Sequence, residues 1–322
     1  AREFFKKAIE LEADNYSVYS ELGEACDKLE DTDGAISAFE KALQFKPGNV
    51  NIIYRLGAKY KLKGDFQKMQ DLYGKAVELA PRNALFHFEL GEALRNLGQL
   101  DEAMEKYEEA LSLNADLLEC IYALGGIYWE KKYYDKMVTL YKKAISLYPT
   151  NSRAHFELGK AYRRKFKISE AIDELKKVIN LDSNHPEVHF ELGSLYNENG
   201  MTREAIECLN KATMLDPKNG EAFFLLGKCY EDTGDREKAT ATFEKAKSMM
   251  TGNIEILVRL GTDYLEKGKF EEALIELKKA AAMEKPTSEV YYLMGKVYRN
   301  LGNSEEAIRA FEKADELQPA AT

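Results

Sequence analysis

Tryptophan occurs once in this chain of 322 residues, cysteine and histidine four times each, and proline seven times. Each scarcity removes a class of protein. Four cysteines without a Cys-x-x-Cys spacing supply neither a disulfide framework nor a thiolate metal cage, so free thiols in a reducing compartment are expected. No apolar run approaches the ~18 residues of a membrane span, and no signal peptide opens the chain, which points to a cytoplasmic protein without membrane insertion. Positive charge is short: 46 Lys and Arg face 55 Asp and Glu, for a formal net charge of −9. That balance argues against nucleic-acid binding. There is no Gly-rich phosphate loop, no nucleophile elbow and no HExxH motif, so no enzyme activity, cofactor or metal is expected.

Glycine is present in quantity, and its placement organises everything else. Glycines stand at 23, 57, 91, 125, 159, 193, 227, 261 and 295, an unvarying step of thirty-four positions. The residue before each is Leu, or Met at 294. Three residues after it Tyr stands in seven copies, at 60, 128, 162, 196, 230, 264 and 298. Twelve after it is a small residue in seven copies, as at Ala205. Sixteen after it is always large and apolar (Phe39, Tyr73, Tyr107, Tyr141, Leu175, Leu209, Phe243, Leu277, Phe311), and nineteen after it is Ala, or Val178.

A glycine inside a helix costs roughly 1 kcal/mol relative to alanine, so nine of them need a structural reason. Close helix contact supplies one. A bare Gly193 lets a neighbouring helix carrying Ala205 pack against it, with Leu192, Tyr196 and Leu209 buried at the contact. Each unit of the period therefore reads as two antiparallel helices joined by a short turn. Gly64, Gly98, Gly200, Gly234, Gly268 and Gly302 fall where the first helix ends in a left-handed residue. Pro47, Pro81, Pro149, Pro217 and Pro319 stop the second helix.

A period of this length with these residue types resembles the tetratricopeptide repeat, over essentially the whole chain. Nine repeats begin near Tyr16, Val50, Ala84, Leu118, Ser152, Pro186, Gly220, Ile254 and Ser288. Residues 1–15, with Ala1, Phe5 and Ala8, fit the second helix of a preceding partial repeat, and a piece of a longer protein is expected. The resemblance implies an all-α fold, a right-handed superhelix of stacked antiparallel helix pairs, with residues 1–322 forming a single solenoid. In such an array each repeat touches only its neighbours.

The remaining chemistry-bearing residues fit this frame. Cys26, Cys120, Cys208 and Cys229 occupy unrelated repeat positions, and only Cys208 with Cys229 is a pairing to check. His87, His155 and His189 recur at the fourth position of first helices. Equivalent positions lie a helix spacing of ~8–10 Å apart or more, too far for three ligands to share one ion at ~2 Å, so a packing role is expected.

In the family, ligands usually lie against the first helices, on the concave side. The fifth repeat position is aromatic at Tyr54, Phe88, Tyr122, Phe156, Phe190, Phe224 and Tyr292, and both packing and binding roles stay open for that column. The twelfth position, which has no expected packing duty, runs Asp27, Lys61, Arg95, Trp129, Arg163, Asn197, Glu231, Leu265, Arg299. Its middle is basic and aromatic within an acidic protein, and Arg153, Lys160 and Arg164 add to it. Exposed Trp and Arg dominate binding hot spots. The candidate partner site is therefore Arg95, Tyr122, Trp129, Arg153, Phe156, Lys160, Arg163 and Arg164, which would suit an extended or helical protein segment carrying acidic and apolar groups. The alternative is a solvated basic stretch. The family's carboxylate clamp and its Asn ladder are both missing, since the fifth positions are aromatic and the sixth carry Glu, Arg, Ala or Leu.

The resemblance implies a non-catalytic scaffold for protein contacts. Two alternatives stay open: a substrate-recruiting arm of an enzyme whose catalytic domain lies outside this chain, and self-assembly through uncapped ends.

Overall fold

Short-range chemistry sets the helix boundaries. The computed structural model describes residues 16–250 and 252–317; the expected helix over residues 1–15 and Pro319 lie outside them. Among the described residues there are eighteen helices and no strand. The first helices of the repeats are α1 Tyr16–Lys28, α3 Val50–Lys63, α5 Ala84–Asn96, α7 Leu118–Glu130, α9 Ser152–Arg164, α11 Pro186–Glu198, α13 Gly220–Asp232, α15 Ile254–Glu266 and α17 Ser288–Asn300. The second helices are α2 Thr32–Phe45, α4 Phe66–Leu79, α6 Leu100–Leu113, α8 Tyr134–Leu147, α10 Ile168–Leu181, α12 Thr202–Leu215, α14 Arg236–Met249, α16 Phe270–Ala281 and α18 Ser304–Glu316. All nine first helices start at the residue the period predicts.

An asparagine side chain opens most first helices: Asn49, Asn83, Asn151, Asn219 and Asn253 each accept a backbone N–H from the first turn. Such a cap is worth about 1 kcal/mol. Pro186 takes the first position of α11, where its missing N–H is no loss. At the far end, the six turn glycines hold φ between 72° and 79°. In the other three repeats the same left-handed place is taken by Glu30, Lys132 and Phe166, with φ of 57°, 60° and 57°.

The chain divides into two compact units, the first ending at Lys165 and the second beginning at Phe166. The first holds α1 to α9 and the second α10 to α18. Within each unit every helix packs on the next in sequence, so helix pairs stack on helix pairs.

The repeat glycines make room for a different partner than the small residue twelve positions on. A Cβ at Gly91 would lie 2.6 Å from Tyr107 Cε1, one at Gly227 2.6 Å from Phe243 Cε1, and one at Gly193 2.7 Å from Leu209 Cγ and 3.2 Å from its backbone nitrogen. The glycine is thus a slot for the large residue sixteen positions later, and Ala205 is not its nearest neighbour. Tyr73 and Tyr107 are fully buried in such slots. Each buried ring returns about 1.5–3 kcal/mol, more than the glycine costs.

The recurring Tyr three residues after each glycine gains its meaning from the preceding repeat. The hydroxyls of Tyr60, Tyr128 and Tyr264 donate to Glu40, Glu108 and Glu244, the last residues being seventeen after the earlier glycine, and Asn210 bonds Tyr230 at 3.2 Å. Where that partner is Lys, as at Lys142 and Lys278, its ammonium stands over the Tyr162 or Tyr298 ring. Either way the ring joins two repeats, and where the partner is Glu or Asn the hydroxyl is hydrogen-bonded as well.

Candidate functional site

Seven of the eight candidate residues lie on α7 and α9, both in the first unit. On α9, Arg153, Lys160 and Arg164 are spaced i, i+7, i+11, which at ~100° per residue brings all three within about 20° of Arg153's direction. They form one stripe. On α7, Tyr122 and Trp129 are likewise seven apart and share a face.

The two stripes meet as cations on rings. The Arg153 guanidinium carbon lies 3.9 Å from the centre of the Tyr122 ring, and the Arg164 guanidinium carbon 5.0 Å from Trp129. Lys160 Nζ is 5.0 Å from Trp129 and 5.1 Å from Phe156. Each ring is held from behind. Trp129 is edge-on to Tyr134 at 5.8 Å, and Tyr122 lies 6.3 Å from Tyr141. The Tyr122 hydroxyl donates to Asn151 Oδ1 at 2.7 Å, the same oxygen that caps α9 through Ala154 N at 2.9 Å. Burial, opposed by Asn151 and Arg153, leaves the Tyr122 hydroxyl pKa above its ordinary value.

The candidates do not all join this cluster. Phe156 is only 6% exposed and forms part of its floor. Arg95, on α5, is turned to Glu92 at 3.8 Å. Arg163 is half-buried in the last turn of α9, about 100° round the helix from Arg164. Lys160 is also paired with Glu157, at 3.3 Å. Among the described residues neither Arg153 nor Arg164 is paired with a carboxylate. The sequence reading missed Asn151, Tyr134 and Glu157; the Asn column before the first helices was the signal for Asn151.

Four polar residues of the twelfth-position column link adjacent repeats. Asp27 bonds Lys59, Lys61 bonds Glu89 at 2.9 Å, Asn197 accepts from Cys229 Sγ at 3.2 Å, and Glu231 bonds Arg259. Each partner sits on the next first helix, so these residues staple adjacent repeats. Trp129 does the same through cations rather than an ion pair.

The fifth-position aromatics are divided. Phe224 is buried against Phe243, with centroids 5.8 Å apart, whereas Tyr292 packs its ring on Phe311 at 5.7 Å while staying half exposed.

A contrasting groove lies on first helices of the second unit, lined by Ile254, Val258, Thr262 and Thr287 with Glu231, Glu255, Glu289 and Arg259. Its one arginine is fully committed: Arg259 reaches Glu255 at 3.1 Å and also bonds Glu231. Burial holds the Glu231 carboxyl above its ordinary pKa, against the pull of Arg259.

The histidines and cysteines of the described residues serve packing and loop attachment. Nε2 of His87, His155 and His189 each lies 2.9 Å from a carbonyl six residues back, that of Pro81, Pro149 or Ser183, so each ring ties the inter-repeat loop to its helix. Cys208 and Cys229 are both free thiols, not a bridge. Burial pushes the Cys120 thiol up to about 12 and those of Cys208 and Cys229 up to about 11, far from a reactive thiolate. Among the described residues no His, Cys, Asp and Glu group could hold a metal, and no helix is long and apolar enough to cross a membrane.

Comparison with known proteins agrees with this architecture. Tetratricopeptide repeat family models match residues 16–49, 50–83, 118–151, 220–249 and 288–320, others match 84–117 and 140–173, and a TPR repeat model matches 167–200 and 193–234. None of these spans includes residues 250–287, although α15 and α16 form the same helix pair there. Curated protein sequences give no match. Among solved structures, the chain is similar to YrrB, described as a TPR protein with an unusual peptide-binding site, at 25% identity and a TM-score of 0.50, covering 57% of this chain and 95% of that one. It is similar in fold to PilF of Pseudomonas aeruginosa, at 22% identity and TM-score 0.52 over 68% of this chain and 96% of that one. The C-terminal part of a TPR repeat-containing protein from Cytophaga hutchinsonii aligns at 18% identity and TM-score 0.63, over 73% and 96%. With more than half of its residues matched by one repeat model and helix pairs at every predicted repeat, the chain belongs to the tetratricopeptide repeat family.

Proposed function

We propose that this protein is a non-catalytic scaffold that holds a segment of a partner protein against the first helices of repeats 4 and 5. Tetratricopeptide proteins bind protein or peptide partners, and a peptide-binding site is named for YrrB. The observation that carries the reading here is that Arg153 and Arg164 rest on aromatic rings and not on carboxylates. A cation over a ring keeps N–H donors available to a carboxylate, and these two stand exposed on the surface of a chain whose net charge is −9. Acidic groups are the fitting complement, with an apolar side chain set beside the rings. Nucleic acid is disfavoured by the overall charge.

A displayed library of short peptides, selected on the wild-type chain and on the Arg153→Gln/Arg164→Gln double variant, tests this. Acidic and apolar segments should be enriched by the wild type and lost with the variant. Equal enrichment by both would move the site elsewhere.

A further inference from the structure

The way the cations are held says more about the ligand than its charge. Trp129 is half-buried, with Lys160 and Arg164 over its ring and Tyr134 at its edge, so little of it is open to a ligand. It acts as a platform. Tyr122 does the same for Arg153, fixed in turn by its bond to the α9 cap. Lys160 is offset by Glu157. Two exposed guanidinium groups remain, each with its carbon held over a ring, 3.9 Å from Tyr122 for Arg153 and 5.0 Å from Trp129 for Arg164, and a side chain so placed loses less rotamer freedom when a carboxylate binds.

Their separation is bounded by helix geometry. The platforms are seven residues apart, about 10 Å along α7, and the cations eleven apart, about 16 Å along α9, at ~1.5 Å per residue. An extended segment rises ~3.3 Å per residue and sends alternate side chains to opposite faces. Three- and five-residue spacings reach far enough but place the two groups on opposite sides. A four-residue spacing spans ~13 Å and keeps both on one side. In a helix the same four residues cover only ~6 Å.

Resting on the binding reading above, we infer that this face selects an extended acidic segment with the pattern Glu-x-x-x-Glu, one carboxylate on Arg153 and the other on Arg164. The two-point match, and not net charge, sets the preference.

Labelled synthetic peptides with two glutamates in a β-favouring Thr and Ser background, spaced either one or four residues apart, provide the test by fluorescence anisotropy on the full chain. The four-residue spacing should bind roughly tenfold more tightly, a difference of about 1.4 kcal/mol. Moving it into a helix-favouring Ala background should erase the advantage. Arg153→Gln or Arg164→Gln should also bring the two spacings together, and because both side chains are exposed, circular dichroism should show unchanged helicity. Tyr122→Leu, which keeps the charge and removes the platform, should reduce the preference in part. If both spacings bind alike, the two-point reading is overturned while binding at this face stands. If neither peptide binds at all, both readings fall.

Discussion

Two first-helix faces of this molecule use arginine in opposite ways. In the first unit Arg153 and Arg164 lie on Tyr122 and Trp129; in the second, Arg259 lies 5.9 Å from the Phe224 ring but is claimed by Glu231 and Glu255. A carboxylate uses up a guanidinium's donors, whereas a ring occupies only its face. The same repeat frame therefore yields an internally closed surface in one unit and an open one in the other. It follows that substitutions in the frame should harm both units alike, while substitutions at the surface should separate them.

The largest effect is expected from the frame. Gly91→Val in the first unit and Gly193→Val in the second would each drive a branched side chain into the slot held by Tyr107 or Leu209. Overpacking of this kind costs about 1–3 kcal/mol, and more where backbone stands close, as at Leu209 N. Denaturant melts should show comparable losses, with hydrogen exchange accelerated in the repeats next to each change. Loosening spread evenly along the chain would contradict nearest-neighbour coupling.

Surface changes come next. Trp129→Ala should weaken binding of an acidic segment by about 2 kcal/mol, because Lys160 and Arg164 lose the ring that fixes them. Phe224→Ala, in the second unit, should leave that binding alone and lower stability instead, since its ring is buried. Isothermal titration and thermal melts on the two variants should give opposite profiles. Arg164→Glu should act through charge, so its penalty should shrink as added salt shortens the Debye length from about 10 Å.

How far this contrast could be read in advance depends on which interactions are periodic. The glycine slot, the large residue sixteen later and the turn glycines recur once per repeat, so the helix starts followed from the spacing. What the period could not supply was the identity of partners across repeats. Ala205 stood as plausibly opposite Gly193 as Leu209 did, because both lie on α12, one turn apart. The twelfth column looked idle for the same reason: Lys61 to Glu89 and Glu231 to Arg259 are pairs separated by less than one full repeat, so no column alignment brings them together. Trp129, Arg153 and Arg164 were legible as unusual residues for their columns, but not as ring and cation in contact, which depends on the pitch between α7 and α9.

The links between repeats predict a response to acid in both units. Glu108 bonds Tyr128 and Lys136, and Glu244 bonds Tyr264 and Lys247. Burial alone would raise both carboxyl pKa values, yet the hydroxyl and ammonium partners overcome it and leave them below the ordinary 4.5. A carboxyl whose folded pKa is depressed stabilises the fold above its unfolded value, and loses that stabilisation as pH falls through the folded one. Melting temperature should therefore drop on acidification below about pH 4.5. Glu108→Gln and Glu244→Gln should each flatten the drop; an unchanged pH profile in both would remove the Tyr-Glu links as its cause.

The smallest effect is expected at the turns. Lys132 holds φ of 60° where Gly98, one repeat earlier, holds 79°. A side chain in this left-handed region costs roughly 1 kcal/mol, which glycine avoids. Lys132→Gly relieves that strain but also loosens the unfolded chain, an opposing term of about 0.4–1 kcal/mol. The net gain should be a few tenths of a kcal/mol. Gly98→Lys adds the strain and stiffens the unfolded chain, so it should destabilise by a similarly small margin. Chemical denaturation of the two single variants and of the exchanged pair gives three values. The pair should return close to wild type, because the turns lie on different repeats and their effects add. A gain from Gly98→Lys would show that strain at this turn is smaller than the stiffening of the unfolded chain, and a loss from Lys132→Gly would show the same at the next.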